Sequence, residues 1–313
     1  MIGAPEQVAA LAPRRIGARM FDFAHRTAVM AVVNRTPDSF SDRGATFALD
    51  AAVARARQAV EEGADWVDVG GVPFSPDTPD VPVAEEIDRV LPVVEAIRAT
   101  SDVVISVDTY RPEVADAVLD GGADVINDVM GLRVPGLADV VAQHGATVVI
   151  AHSLAQPRRH LRAPRYDDVV AEVVGYLTAR VAAAVGAGIA EEAIVIDPGH
   201  DLNKNTRHSL ELTRRLPEVA AIGLPLLVAL SNKDFVGESI DRPQGERLPG
   251  SLAAAAMCIE RGARILRVHD VRATVDVARM TEAVLGLREP AYLRHNIDVE
   301  APLAAARQRG GAS

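Results

Sequence analysis

The sequence predicts a single α/β domain of the (β/α)8 or TIM-barrel class, and three observations predict it. Short apolar runs alternate with amphipathic helical stretches. A recurring phrase joins them, in which a helix tail ends at Gly-Ala and a Val/Ile-rich run follows. Every such run closes on polar residues. Alternating strands and helices imply parallel pairing through right-handed crossovers, and eight units point to a closed barrel, a fold that 313 residues accommodate. The phrase recurs as Glu61-Glu-Gly-Ala-Asp-Trp-Val-Asp-Val-Gly-Gly, Asp120-Gly-Gly-Ala-Asp-Val-Ile-Asn-Asp, Gln143-His-Gly-Ala-Thr-Val-Val-Ile-Ala-His and Glu260-Arg-Gly-Ala-Arg-Ile-Leu-Arg-Val-His-Asp. The glycine reads as a helix cap and the run as a strand buried on both faces. The unequal spacing and differing polar ends of the copies fit a barrel with specialised loops rather than a solenoid.

In chain order, strands are predicted near 28–33, 66–70, 103–108, 124–128, 147–151, 193–197, 225–230 and 265–269. Helices fall between them near 48–62, 84–99, 111–121, 135–144, 167–187, 208–216, 250–261 and 273–286. In the helix from Ala84 to Ala99, Ile87, Val90, Leu91, Val94 and Ile97 share one face at the 3.6-residue period. The barrel is assigned to residues 26–290, with a flexible segment at 1–25 and a tail at 291–313.

Hydrophobic residues make up 49% of the chain, enough for a sizeable core. The net charge of -10 argues against a nucleic-acid surface, which needs basic stripes to displace counterions. It leaves room for an anionic small substrate held by a few cations in a cleft. The lone Cys258 cannot form a disulfide or a thiolate metal cluster and reads as a small buried apolar residue. Arg14, Arg15 and Arg19 precede no apolar signal core, and no uninterrupted run of 18 apolar residues occurs. A soluble cytoplasmic protein with no membrane partner is expected.

Active sites of such barrels lie at the C-terminal strand ends and the loops after them. Those ends read Asn34, Asp68, Asp108, Asn127-Asp, His152, Asp197, Ser231-Asn-Lys and Arg267-Val-His-Asp. Any one of them could be a loop cap; eight on one rim point to a polar ligand. For Asp108 and Arg267 an ion pair between neighbouring strands is the alternative.

Asn34-Arg-Thr-Pro-Asp-Ser-Phe-Ser-Asp, Ser106-Val-Asp-Thr-Tyr-Arg, Ile126-Asn-Asp-Val, Asp197-Pro-Gly, Ser231-Asn-Lys and Arg267-Val-His-Asp-Val occur in that order. This ordered set, over about residues 28–286, resembles the dihydropteroate synthases. In that family p-aminobenzoate displaces pyrophosphate from a dihydropterin pyrophosphate. The resemblance implies pterin recognition by Asp108, Asn127, Asp197, Lys233 and Arg267, the arginine stacking along the pterin face. Two carboxylates, an amide and an ammonium complement the N–H donors and carbonyl of a pterin edge. The resemblance also implies Asn34 and His269 around the pyrophosphate, Asn34 as the ligand of a Mg2+ ion, a catalytic set of Asn34, Lys233, Arg267 and His269, and a homodimer.

The sequence departs from the family at the other half of the site. After the second strand the family reads Gly-Gly-Glu-Ser-Thr-Arg-Pro-Gly and this chain Gly70-Gly-Val-Pro-Phe-Ser-Pro-Asp, so Phe74 and Ser75 replace the Thr-Arg pair. After the seventh, Ser-Arg-Lys-Ser becomes Ser231-Asn-Lys-Asp. An arginine is lost, and Asp234 stands where a serine is expected near the p-aminobenzoate carboxylate. Two facing carboxylates cost about 1 kcal/mol or more in a partly dry cleft. After the sixth strand Gly-Phe-Gly-Lys becomes Asp201-Leu-Asn-Lys. Substitute cations could come from Arg35, Arg43 or the 158–165 run (Arg158, Arg159, His160, Arg162 and Arg165), which otherwise reads as a solvated basic loop. The pterin half is thus intact and the other half rewritten, predicting a divergent member whose standard synthase activity is weak or lost. A working synthase with compensating cations and a non-catalytic pterin-binding regulator are the alternatives. Methyl transfer from a methylated folate ranks last, because no corrinoid domain accompanies the barrel.

Overall fold

The computed structural model describes residues 11–35, 49–73, 80–155, 161 and 163–296. Arg43, Phe74, Ser75, Arg158, Arg159, His160 and Arg162 lie outside the described residues, as do most of the loop at 35–47, part of that at 71–82 and part of that at 153–166.

The chain opens with a hairpin, β1 (Arg14–Ile16) and β2 (Arg19–Phe21), and then alternates. The order is β3 (Ala28–Asn34), α1 (Leu49–Glu61), β4 (Trp66–Gly70), α2 (Val83–Arg98), β5 (Val104–Asp108), α3 (Pro112–Asp120), β6 (Val125–Asp128) and α4 (Leu137–His144). It continues with β7 (Thr147–Ala151), α5 (Val169–Gly186), β8 (Ile194–Asp197), α6 (Thr206–Arg214), α7 (Leu216–Ala220), β9 (Leu227–Ala229) and α8 (Asp234–Ile240). Last come α9 (Leu248–Glu260), β10 (Ile265–Val268) and α10 (Val271–Val284). The parallel strands run in the order β8-β7-β6-β5-β4-β3-β10-β9. A parallel bridge between Ile196 and Leu226, with the Ile196 N–H donating to the Pro225 carbonyl at 3.0 Å, joins β8 to the start of β9 and closes the barrel.

All eight predicted strands are present because their Val/Ile runs are buried on both faces, toward the interior and toward the helices. The helices lay apolar stripes on the strands, as α2 does with Val90, Val93, Val94 and Ile97. Cys258 is fully buried and its thiol is pushed up to about 12 by burial, as a small apolar residue should be. One described helix, α5, is long and apolar enough to cross a membrane by length and composition alone, with a mean hydropathy of 1.5. Its Val169, Val170, Val173, Leu177 and Ala184 are buried in the helical layer.

Two expectations are corrected. Residues 14–25 are not a frayed segment: Ile16 and Phe23 are buried, Phe21 stacks on Phe23 at 5.6 Å, and Phe21 meets Trp66 edge-on at 5.8 Å. Arg14 donates to the carbonyls of Glu191, Glu192 and Ile194 at 3.1–3.2 Å. The hairpin therefore covers the N-terminal end of the barrel, where those strands begin. Three-residue strands rich in arginine carry no period by which to read them. Two short helices, α7 and α8, were also unanticipated, being five and seven residues long.

Candidate active site

Register assembles the site. Asn34 lies beside Gly70, Gly70 beside Asp108, and Asp108 beside Asn127, so four adjacent strands present one row at their C-terminal ends. Gly70 is the gap in that row: a Cβ there would stand 3.1 Å from the Asn34 Oδ1. Two residues back along the strands, on the same side, lie Asp68 and Ser106, themselves neighbours. Asp68 is fully buried, and its carboxylate accepts from Ser106 Oγ at 2.6 Å, Asn127 Nδ2 at 3.1 Å and Arg267 Nε at 2.6 Å. It forms a floor that orients the amide and the guanidinium above it.

Arg267 reaches in from β10 and its Nη2 donates to Asp108 Oδ2 at 3.2 Å. The ion pair exists, but its strands are not neighbours, since β3 and β4 separate them. The Arg267 side chain is 19% exposed and that of Asp108 29%, so both still face the opening. Burial, countered by Arg267 and reinforced by Asp68, raises the Asp108 carboxyl to about 7. On β8, Asp197 accepts from the Gly199 N–H at 2.7 Å. Burial raises its carboxyl, and Gly199, Lys233 and Lys204 oppose the rise. Burial lowers the Lys233 ammonium, with Asp201 opposing. His269 Nδ1 sits 3.1 Å from Ser231 Oγ.

All seven predicted site residues (Asn34, Asp108, Asn127, Asp197, Lys233, Arg267 and His269) line one cavity of about 820 Å3. That volume suits a drug-sized ligand in a mouth at the C-terminal face. Sequence reasoning passed over Asp68 as a floor, and over a second buried group in the wall. Lys204 donates to Gly199 O at 2.9 Å, His152 Nδ1 at 2.9 Å and Leu202 O at 3.3 Å, and lies 5.9 Å from the Tyr166 ring centre. Burial pushes its ammonium down to about 7, and burial with Lys204 nearby pushes the His152 imidazole to about 3. This cluster pins the loop after β8. The only signal for it was the retained lysine at 204.

The rewritten half also differs from expectation. Arg35 donates to the carbonyls of Asp88 and Arg89 at 3.1 and 2.7 Å, which directs its guanidinium to α2. Asn232 occupies a left-handed turn at φ +60°. Asp234 is ion-paired at 2.9 Å with Arg247, a cation the sequence did not flag. The Asp201 carboxylate accepts from the backbone N–H groups of Asp234 at 2.9 Å and Phe235 at 3.4 Å and from Ser209 Oγ at 2.9 Å.

Comparison with known proteins agrees with this architecture. A family model described as pterin binding enzyme matches residues 30–269. The inactive dihydropteroate synthase 2 of Mycobacterium leprae is 45% identical over 273 residues, covering 85% of this chain and 94% of that protein. The dihydropteroate synthase of Escherichia coli K12 is 43% identical over 261 residues, covering 83% and 93%. Among solved structures, the Xanthomonas albilineans dihydropteroate synthase in complex with 7,8-dihydropteroate matches with a TM-score of 0.78 at 42% identity, covering 87% of this chain and 98% of that one. With most of its length inside the family model and relatives above 40% identity across nine-tenths of their own chains, this protein belongs to the pterin binding enzyme family, among the dihydropteroate synthases.

Proposed function

We propose that the cavity binds a reduced pterin through Asp108, Asn127, Asp197, Lys233 and Arg267, and that the standard synthase reaction is weak or lost. The observation that carries this is the contrast between the two halves of one cavity. The pterin half keeps two carboxylates, an amide and two cations over the Asp68 floor. The other half has Asn232 where the family has arginine, and Asp201 and Asp234 at the start of α8. Loss of one anion-stabilising donor typically costs about 100- to 1,000-fold in rate.

Asn34 and His269 fit a role beside the pyrophosphate. Magnesium fits the donor chemistry there: a single amide oxygen, and among the described residues no group of three His, Cys, Asp or Glu that could hold a metal. Mg2+ keeps several waters and takes substrate phosphate oxygens in place of a protein cage. When bound beside Asn34 it would neutralise charge developing on the departing pyrophosphate. Asp108, ionised, would accept a pterin ring N–H, and Arg267, held flat by Asp68 and Asp108, would cover the ring face. A cytoplasmic homodimer of this enzyme-like chain is part of the same reading and rests on the family resemblance.

The test pairs calorimetric binding of a reduced pterin with pyrophosphate release from the dihydropterin pyrophosphate, with Mg2+ and with or without p-aminobenzoate. Pterin binding with release at least 100-fold below that of the Escherichia coli relative assayed in parallel is expected. Release within tenfold would establish a working synthase, a reading that the exposed Arg207 on the cavity wall favours. Absence of pterin binding would overturn the proposal altogether.

A further inference from the structure

We infer that the part of the cavity at the start of α8, beside Lys233, takes a ligand that presents hydrogen-bond donors and no carboxylate, and that Asp201 determines this specificity. The inference deepens the proposed function and rests on its division of the cavity into two halves.

The start of α8 carries the first observation. The backbone N–H groups of Asp234 and Phe235 are main-chain donors on this wall that could receive an anion, and the Asp201 carboxylate already occupies both. Ser209 Oγ holds the other oxygen of that carboxylate at 2.9 Å. Asp201 sits in the left-handed region at φ +62°, so the loop after β8 is bent to deliver it. An incoming carboxylate would have to displace a covalently tethered one already held by three donors. The next carboxylates it meets are Asp234, and Glu238, to which Thr206 Oγ1 is hydrogen-bonded. Among the described residues Arg207 is an exposed cation of this wall, so net charge alone does not decide the matter; the occupied amides do.

His200 supplies an independent observation. Its side chain lines the same cavity and the residue is 1% exposed. Thr213 Oγ1 lies 2.9 Å from the Ser209 carbonyl and 3.0 Å from His200 Nε2; with its proton on the carbonyl, as helical threonines commonly place it, its lone pair accepts from Nε2. That assignment places the ring proton on Nε2 and leaves Nδ1 as a bare acceptor, with no partner among the described residues. Burial holds this imidazole neutral, down to about 3. An unpartnered buried acceptor favours a donor beside it, and a ligand N–H satisfies it where the cavity wall shifts to uncover Nδ1, which is itself covered. Asp201, Asp234 and His200 thus ask for the same chemistry, an amino or amide group in place of a carboxylate.

Two probes of the same shape read this out: p-aminobenzamide and p-aminobenzoate, titrated calorimetrically with and without a saturating reduced pterin. The parent protein is expected to bind the amide at least tenfold more tightly than the acid. Asp201→Gly, which suits the left-handed backbone and frees both amides, should reverse or abolish that preference. His200→Phe, which keeps a ring against Phe235 but removes the acceptor, should weaken the amide about five- to tenfold. A preference for p-aminobenzoate in the parent, or an unchanged ratio in Asp201→Gly with normal thermal unfolding, overturns the inference. Failure to bind pterin while the amide-to-acid ratio still depends on residue 201 would sink the pterin reading and leave this one standing.

Discussion

Asp68 touches no predicted ligand-facing space directly, yet it is the acceptor shared by Ser106, Asn127 and Arg267, which lie 38, 59 and 199 residues away in sequence. Removing one partner of a buried, hydrogen-bonded charge pair costs about 3–5 kcal/mol. Arg267 keeps Asp108, so the lower part of that range applies to Asp68→Ala. Reduced-pterin affinity in this variant should fall at least 100-fold by calorimetry, because amide and guanidinium lose their orientation together. Asp68→Asn, which keeps the shape and one acceptor oxygen, should lose less, about tenfold. An Asp68→Ala protein that binds pterin within threefold of the parent would show that the floor does not position the site. Asp108, Asn127, Asp197 and Arg267 were legible in the sequence because a polar group at the end of an apolar strand needs a reason. Asp68 was read as one of those polar strand ends, but not as their shared acceptor, because its partners are brought to it only by barrel closure.

The eight strands and most helices were readable because the apolar runs and helical periods are clear and several helices end at a glycine, so local sequence and global fold agree. Loops were not, since their conformations follow from tertiary partners. The loop after β8 shows why. Gly199 stands at φ +69°, and a Cβ there would overlap the backbone carbonyl oxygen of His152 at the end of β7. Neither side of that contact is a flexible side chain. The same loop supplies the Gly199 N–H to Asp197 and the Gly199 carbonyl to Lys204. Gly199→Ala should therefore cost more than the roughly 1–3 kcal/mol of a strained non-glycine backbone, lowering the melting temperature by roughly 4 °C or more and weakening pterin binding through Asp197. Gly223, at φ +86° with nothing within 4 Å of an added methyl, is the control. Gly223→Ala carries the backbone penalty alone and should leave pterin binding intact. Equal melting temperatures for the two variants would remove the collision from the explanation.

At the scale of the molecule, one end of the barrel is sealed by the β1–β2 hairpin and the other is opened by the cavity, so association with a second copy is left to the helical ring. Most of that ring is charged, in keeping with 43 acidic and 33 basic residues. Val185, Leu210 and Ile240 are exposed apolar residues on other helices, but the most exposed ones lie on the last two, which pack against each other. Met257 on α9 is 46% exposed, and Met280 and Val284 on α10, one helical turn apart, are 64% and 72% exposed. Exposed apolar groups at adjacent positions on an otherwise charged surface mark an interaction face. A two-fold dimer would bury the same patch on both copies. The protein should sediment as a species of twice the 33.2 kDa chain mass. Met280→Glu combined with Val284→Glu places like charges across the two-fold and should yield a monomer. Because these side chains are on the outer ring, away from the cavity, reduced-pterin affinity in the monomer should match the parent. A parent that sediments as a monomer at tens of micromolar would contradict the dimer itself. A double-Glu variant that remains dimeric would move the interface to another part of the helical ring.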